Sequence, residues 1–125
     1  MSQTHSDLLV HIIFSTKNRE PIIKPEMQKD LNAYLAGITR DIEGYPILFN
    51  GVSDHVHGLV SLRPTHSVAK VLQEIKAGSS RWIHEHWKTK SFAWQSGYGA
   101  FSVSRSQVLA RWGSTSATSK SITRR

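Results

Sequence analysis

Pro46-Ile47-Leu48-Phe49-Asn50-Gly51-Val52 and, after Ser53-Asp54, His55-Val56-His57-Gly58-Leu59-Val60-Ser61-Leu62 decide how this chain folds. Both runs are short, apolar and rich in β-branched or aromatic side chains, which reads as strand. The short turn between them favours an antiparallel hairpin. Outward from the hairpin the period changes. Upstream, Pro25 suits a first helical residue, and Met27, Leu31, Tyr34, Leu35, Ile38 and Ile42 recur at three and four up to about Glu43. That is an amphipathic helix, with Gly44 as the expected stop. Downstream, Arg63-Pro64-Thr65-His66-Ser67 opens a second helix with Val68, Val71, Leu72, Ile75, Trp82 and Ile83 as its apolar stripe. Gly78-Ser79-Ser80 interrupts that stripe and is expected to loosen a turn. At the outer ends, Leu8 to Thr16 reads as a buried strand closed by Lys17-Asn18-Arg19-Glu20-Pro21. Phe92–Gln95 and Gly99–Ser104 read as a fourth strand broken around Gly97. The order βαββαβ is an α+β, ferredoxin-like arrangement: an antiparallel sheet with two helices on one face.

The chain has 125 residues, which suits one domain with a modest core. It contains no cysteine, which excludes a disulfide scaffold, a zinc knuckle and a thiol nucleophile, and is compatible with a reducing cytosol. No apolar run approaches the roughly 18 residues of a membrane span, and Met1 to Asp7 lacks the charged and apolar regions of a signal peptide. A cytoplasmic location is therefore expected. Sixteen Lys plus Arg against nine Asp plus Glu give a net charge of +7, which attracts polyanions without specifying a fold. Its distribution is uneven. Residues 111–125 contain Arg111, Lys120, Arg124 and Arg125 and no acid, so residues 1–110 carry only +3. Seven of those fifteen residues are Ser or Thr and no apolar period survives. The expected division is a domain over 1–110 and a disordered basic tail over 111–125.

Asp54-His55-Val56-His57 is the motif with chemistry in it. On a strand, His55 and His57 share a face while Val56 points the other way. Two imidazoles so placed can bind one divalent cation if a third ligand converges on them. Two histidines satisfied by hydrogen bonds are the alternative. His84 and His86 have the same spacing on a helix, where residues two apart diverge, so that pair reads as incidental. Asp54 is placed to orient a ligating histidine or merely to occupy the turn. Lys17 and Arg19 leave the first strand together, and Lys70, Lys76 and Arg81 lie along the second helix. With Trp82, Trp94 and Tyr98 nearby, these cations could hold a nucleic-acid backbone while rings stack on unpaired bases. The alternative is a solvated face over core aromatics, which suits Trp82 in the apolar stripe.

Several of these segments together resemble the HUH-type single-tyrosine transposases of small bacterial insertion sequences. They are Phe14-Ser15-Thr16-Lys17-Asn18-Arg19, Asp54-His55-Val56-His57, Lys76 to Trp82 and Phe92-Ala93-Trp94-Gln95-Ser96-Gly97-Tyr98-Gly99-Ala100-Phe101-Ser102-Val103-Ser104. The resemblance covers roughly residues 8–108. It implies a homodimer that recognises single-stranded DNA hairpins at element ends. It further implies cutting and rejoining through a tyrosine–phosphate intermediate, assisted by Mg²⁺ or Mn²⁺ on His55, His57 and a third ligand. In the family that ligand is a glutamine four residues beyond the nucleophile, in a Val-x-x-Tyr-Ile-x-Asn-Gln helix followed by paired histidines.

Here the resemblance breaks. The nucleophile would fall near Ser114 or Thr115, and no tyrosine follows Tyr98. Tyr34, Tyr45 and Tyr98 read as packing or sheet-edge residues. Reading the codons of Arg111 to Thr123 from their third bases, with suitable synonymous choices, permits Val-Gly-Val-Tyr-Ile-Arg-Asn-Gln-Gln-Glu-His-His. A frameshift near Ala110 is therefore expected to have replaced the catalytic helix, leaving a chain inactive in strand cleavage with a weakly held ion. A non-catalytic single-stranded DNA- or RNA-binding module is the alternative reading.

Overall fold

The computed structural model describes residues 8–104. Its elements are β1 (Leu8–Ser15), a 3-10 turn (Lys17–Arg19), α1 (Pro25–Asp41), β2 (Tyr45–Gly51), β3 (His55–Leu62), α2 (Val68–His86) and β4 (Gly99–Val103). The four strands form one antiparallel sheet in the order β2-β3-β1-β4. This is the expected ferredoxin-like arrangement, with the two most apolar strands in its centre.

Alternation assigns the two faces. Val10, Ile12 and Phe14 of β1 and Val56, Val60 and Leu62 of β3 form the core with Leu31 and Leu35 of α1 and Leu72 and Ile75 of α2. The odd-numbered residues of β1 and β3 therefore lie on the face without helices. Close approach there and in the core depends on two glycines. A Cβ at Gly58 would meet the Phe49 ring at 2.6 Å, and one at Gly99 would meet Ile13 at 2.7 Å.

Three local expectations need correcting. The left-handed residue ending α1 is Glu43, at φ 68°, and not Gly44. Gly44 is needed for space: a Cβ there would lie 3.0 Å from Leu62 and 3.1 Å from Thr39. Gly78-Ser79-Ser80 does not loosen α2, which runs unbroken. Gly78 and Ser79 are buried, and a Cβ on Gly78 would meet Ile38 of α1 at 2.9 Å. The glycine is a close-packing point between the helices. Finally, Phe92–Gln95 is not half of a strand. It touches the sheet through one isolated bridge, Thr16 to Trp94, and β4 begins at Gly99. Gly97 takes φ 90° between them. No helix among the described residues is long and apolar enough to cross a membrane. The expected tail, 111–125, lies outside the described residues.

Candidate functional site

The helix-free face presents His55 and His57 with parallel rings, 5.4 Å between centroids and 13° apart in plane. The strand register puts Ser15 opposite His55 and Ile13 opposite His57. His55 is held by Asp54: its Nδ1–H donates to Oδ1 at 2.8 Å. That leaves the Nε2 lone pair outward. The other carboxylate oxygen, Oδ2, accepts Arg19 Nε–H at 3.3 Å. Above all the His55 hydrogen bond, and also the Arg19 charge, hold the Asp54 carboxyl below its usual range, against the opposing effect of burial. His57 is buried, and burial above all, with an electrostatic contribution from the neighbouring His55 and His11 rings, lowers its pKa to about 4. It is neutral at pH 7, the form a metal requires.

The loops that carry these groups are tied together by main-chain bonds. Thr16 N–H donates to the Asp54 carbonyl at 2.9 Å, and Ile23 N–H to that of Ser53 at 3.0 Å. The buried Thr16 hydroxyl donates to the Glu20 carbonyl at 2.7 Å. These bonds bring the 3-10 turn beside the hairpin, which is how Arg19 reaches Asp54 across 35 positions of sequence. A second set of bonds adds the segment after α2. Lys17 N–H donates to the Ala93 carbonyl at 2.9 Å and Gln95 N–H to that of Ser15 at 2.8 Å. Asn18 N–H donates to Gln95 Oε1 at 2.9 Å.

His55, His57, Asp54, Lys17, Arg19 and Tyr98 thus gather at one end of the sheet, and the remaining expected residues behave differently. Lys76 points to this end, but its ammonium donates to the carbonyls of Gln95 and Gly97, at 2.7 and 2.8 Å. Burial pulls its pKa down. The Trp94 ring meets Phe14 and Phe92 edge to face, at 4.7 and 4.8 Å, and its Nε1–H donates to Ser79 at 3.0 Å. The ring is partly buried and packs against the core. Arg81 is exposed two residues from buried Ser79 and Ile83, so it points away from the sheet, on the helix layer. Trp82 is half-buried and stacked between Tyr34 and His86, at 4.8 and 5.1 Å, also on the helix layer. His84 and His86 do diverge: His84 Nε2–H donates to the Phe92 carbonyl at 2.7 Å.

One neighbour was missed from sequence. His11 of β1 is buried on the same face, its ring 5.9 Å from His57. Its odd position in β1 was visible, but the register that sets it beside His57 was not. Among the described residues no group of three His, Cys, Asp or Glu side chains is placed to hold a metal ion.

No curated protein shows significant similarity to the chain. Among solved structures, it is similar to a Deinococcus radiodurans R1 protein described as a transposase, with a TM-score of 0.74 and 20% identity. That match covers 86% of this chain and 87% of the other. It is also similar to a REP-associated tyrosine transposase bound to a REP hairpin, with a TM-score of 0.59 and 13% identity. There the match covers 84% of this chain but only 61% of the other. At these identities the likeness is one of fold. The sequence itself goes further, because residues 4–111 match the family described as "Transposase IS200 like". Over nearly its whole length, this chain belongs to the IS200-like transposases.

Proposed function

We propose that this chain is a transposase domain that binds single-stranded DNA and a divalent cation but does not itself cleave the strand. The observation that carries the reading is the His55–His57 pair: two parallel imidazoles on the helix-free face, one with its Nδ1 proton committed to Asp54. That commitment leaves Nε2 as the donor, and burial keeps His57 neutral, so the pair fits a Mg²⁺ or Mn²⁺ ion as two of its ligands. Such an ion supplies a positive charge that polarises the scissile phosphate.

The chain's own groups supply the rest. Lys17 stands exposed on the 3-10 turn beside the pair, placed to neutralise a DNA phosphate. Arg19 holds Asp54 with Nε–H and keeps its remaining donors outward for a second phosphate. The DNA partner we infer is a hairpin-bearing single strand from insertion-sequence ends. The fold likeness to a hairpin-bound relative supports this. A second copy of the chain is the other inferred partner, and β4 lies at the sheet edge with Phe101 half exposed.

Cleavage through a tyrosine–phosphate link needs a tyrosine beside the ion. The position the family pattern assigns to it is Ser114 or Thr115. We ascribe this to the frameshift permitted by the codons of 111–123, which the nucleotide sequence of the gene tests directly. The reading as a whole is tested by calorimetric titration with Mn²⁺. Weak binding that disappears in His55→Ala is expected. Single-strand binding indifferent to Mn²⁺ and to His55→Ala would instead indicate a binding module without metal chemistry.

A further inference from the structure

Beside the histidine pair lies a cleft of about 210 Å³, lined by Ile13, Phe14, Ser15, Gln95–Gly97, Tyr98 and Gly99. Its floor residues, Ile13 and Ser15, are the register partners of His57 and His55. It is smaller than the roughly 300–1,000 Å³ of sites for drug-sized ligands. Its lining is mostly apolar and glycine-rich, with Phe14 and Tyr98 as its aromatic residues and Ser15, Gln95 and Ser96 as its polar ones.

The loop bearing Tyr98 is built with unusual care for an exposed segment. Gln95 is held by its N–H to Ser15 and by its side-chain oxygen to Asn18. Gly97 takes a left-handed conformation that a side chain would strain. The absence of a Cβ on Gly99 lets β4 close on Ile13. Lys76 commits its ammonium to the Gln95 and Gly97 carbonyls instead of to solvent. A second cleft of about 330 Å³, against Ala69, Leu72 and Gln73 of α2, shares Ser96, Gly97 and Tyr98 with the first. Tyr98 thus borders both clefts, is 45% exposed and is not part of the hydrophobic core.

We infer that the cleft between Tyr98 and Ile13 receives one unpaired nucleobase, stacked on Tyr98, from the nucleotide next to the phosphate at the histidine pair. The inference rests on the single-stranded DNA reading above and gives it a subsite. Aromatic stacking tolerates any base and would hold the strand while the phosphate lies over His55 and His57. Lys76 is then a positioning residue that shapes the Tyr98 loop and does not contact phosphate.

The test uses two single strands of about twelve nucleotides and equal charge: oligothymidylate and a fully abasic strand. Binding of each to the full chain is read by fluorescence anisotropy. Tyr98→Ala is expected to weaken oligothymidylate binding about tenfold and leave the abasic strand unchanged, while Tyr98→Trp restores base binding. In a strand of 5-iododeoxyuridine, light is expected to cross-link the base to Tyr98. Lys76→Met is expected to reduce that cross-link yet keep the wild-type salt slope, whereas Lys17→Met lowers the slope by about 0.7. Equal losses for both strands in Tyr98→Ala, no loss for either, or a cross-link confined to other aromatics would overturn the subsite and leave DNA binding intact. If wild type binds neither strand, the DNA reading falls as well.

Discussion

At the scale of single residues, His57 is set apart by where the sheet puts it. Its ring is buried on the helix-free face beside His55 and His11, with a pKa lowered to about 4 against 6.5 for an ordinary histidine. Between those values the unfolded chain binds a proton that the folded chain does not, so stability rises with pH in that window. Acidification from about 6.5 toward 4 should therefore cost stability, at most about 3 kcal/mol. Thermal melts with EDTA present check this. A lower Tm at pH 5 than at pH 7 is expected, with a smaller difference in His57→Phe.

Asp54 makes a different kind of contribution. It fixes the tautomer of His55, so Asp54→Ala should weaken Mn²⁺ binding about 10–100-fold while leaving the fold intact. Calorimetric titration reads the affinity, and unchanged affinity would reduce Asp54 to a turn residue. The His-x-His spacing was legible in the sequence because strand alternation alone puts both rings on one side. The Arg19–Asp54 contact was not. It depends on the Thr16 and Ile23 backbone bonds that fold the 3-10 turn onto the hairpin.

Among the elements, α2 shows how a local rule is overridden by packing. Glycine and two serines in mid-helix read as a weak turn on propensity. In the fold, Gly78 admits Ile38 of α1, and Ser79 joins α2 to the segment after it. The Ser79 hydroxyl donates to the Ile75 carbonyl at 2.7 Å and accepts the Trp94 indole N–H at 3.0 Å. Ser79→Ala should therefore destabilise the chain by about 1–2 kcal/mol, since it strands the indole donor. Trp94→Phe removes that donor, so the double substitution should cost less than the sum of the two singles. Urea unfolding of the four proteins reads this cycle, and strict additivity would mean the bond contributes nothing. The two helices and the hairpin were legible because their periods of 3.6 and 2 differ sharply. The roles of Gly78 and Ser79 were hidden because their partners lie 40 residues upstream and 15 downstream. Glu43 is a similar case: φ 68° on a glutamate follows from the geometry leaving α1, while Gly44 is reserved by its contact with Leu62.

Across the whole molecule, one end of the sheet collects everything that points to DNA. The loops after β1, between β2 and β3, and before β4 meet there, joined by hydrogen bonds through Thr16, Gln95 and Lys76. Basic composition does little to mark that end. More than half of the +7 charge belongs to residues 111–125, and Arg81 points to the other side. The order βαββαβ revealed the sheet, but which loops would meet followed only from the strand order β2-β3-β1-β4. In the proposed reading this end keeps its binding groups and lacks its nucleophile. Mixing the chain with Mn²⁺ and single-stranded DNA from the flanks of its own gene tests both halves of that statement. Protein–DNA adducts are then counted on a denaturing gel. A second chain, with residues 111–122 replaced by Val-Gly-Val-Tyr-Ile-Arg-Asn-Gln-Gln-Glu-His-His, is run beside it. No adduct is expected from the chain as it stands, and a metal-dependent adduct is expected on the new tyrosine of the second. An adduct on the unaltered chain, at Tyr98 or elsewhere, or none on the restored chain, would contradict the proposed loss of the nucleophile.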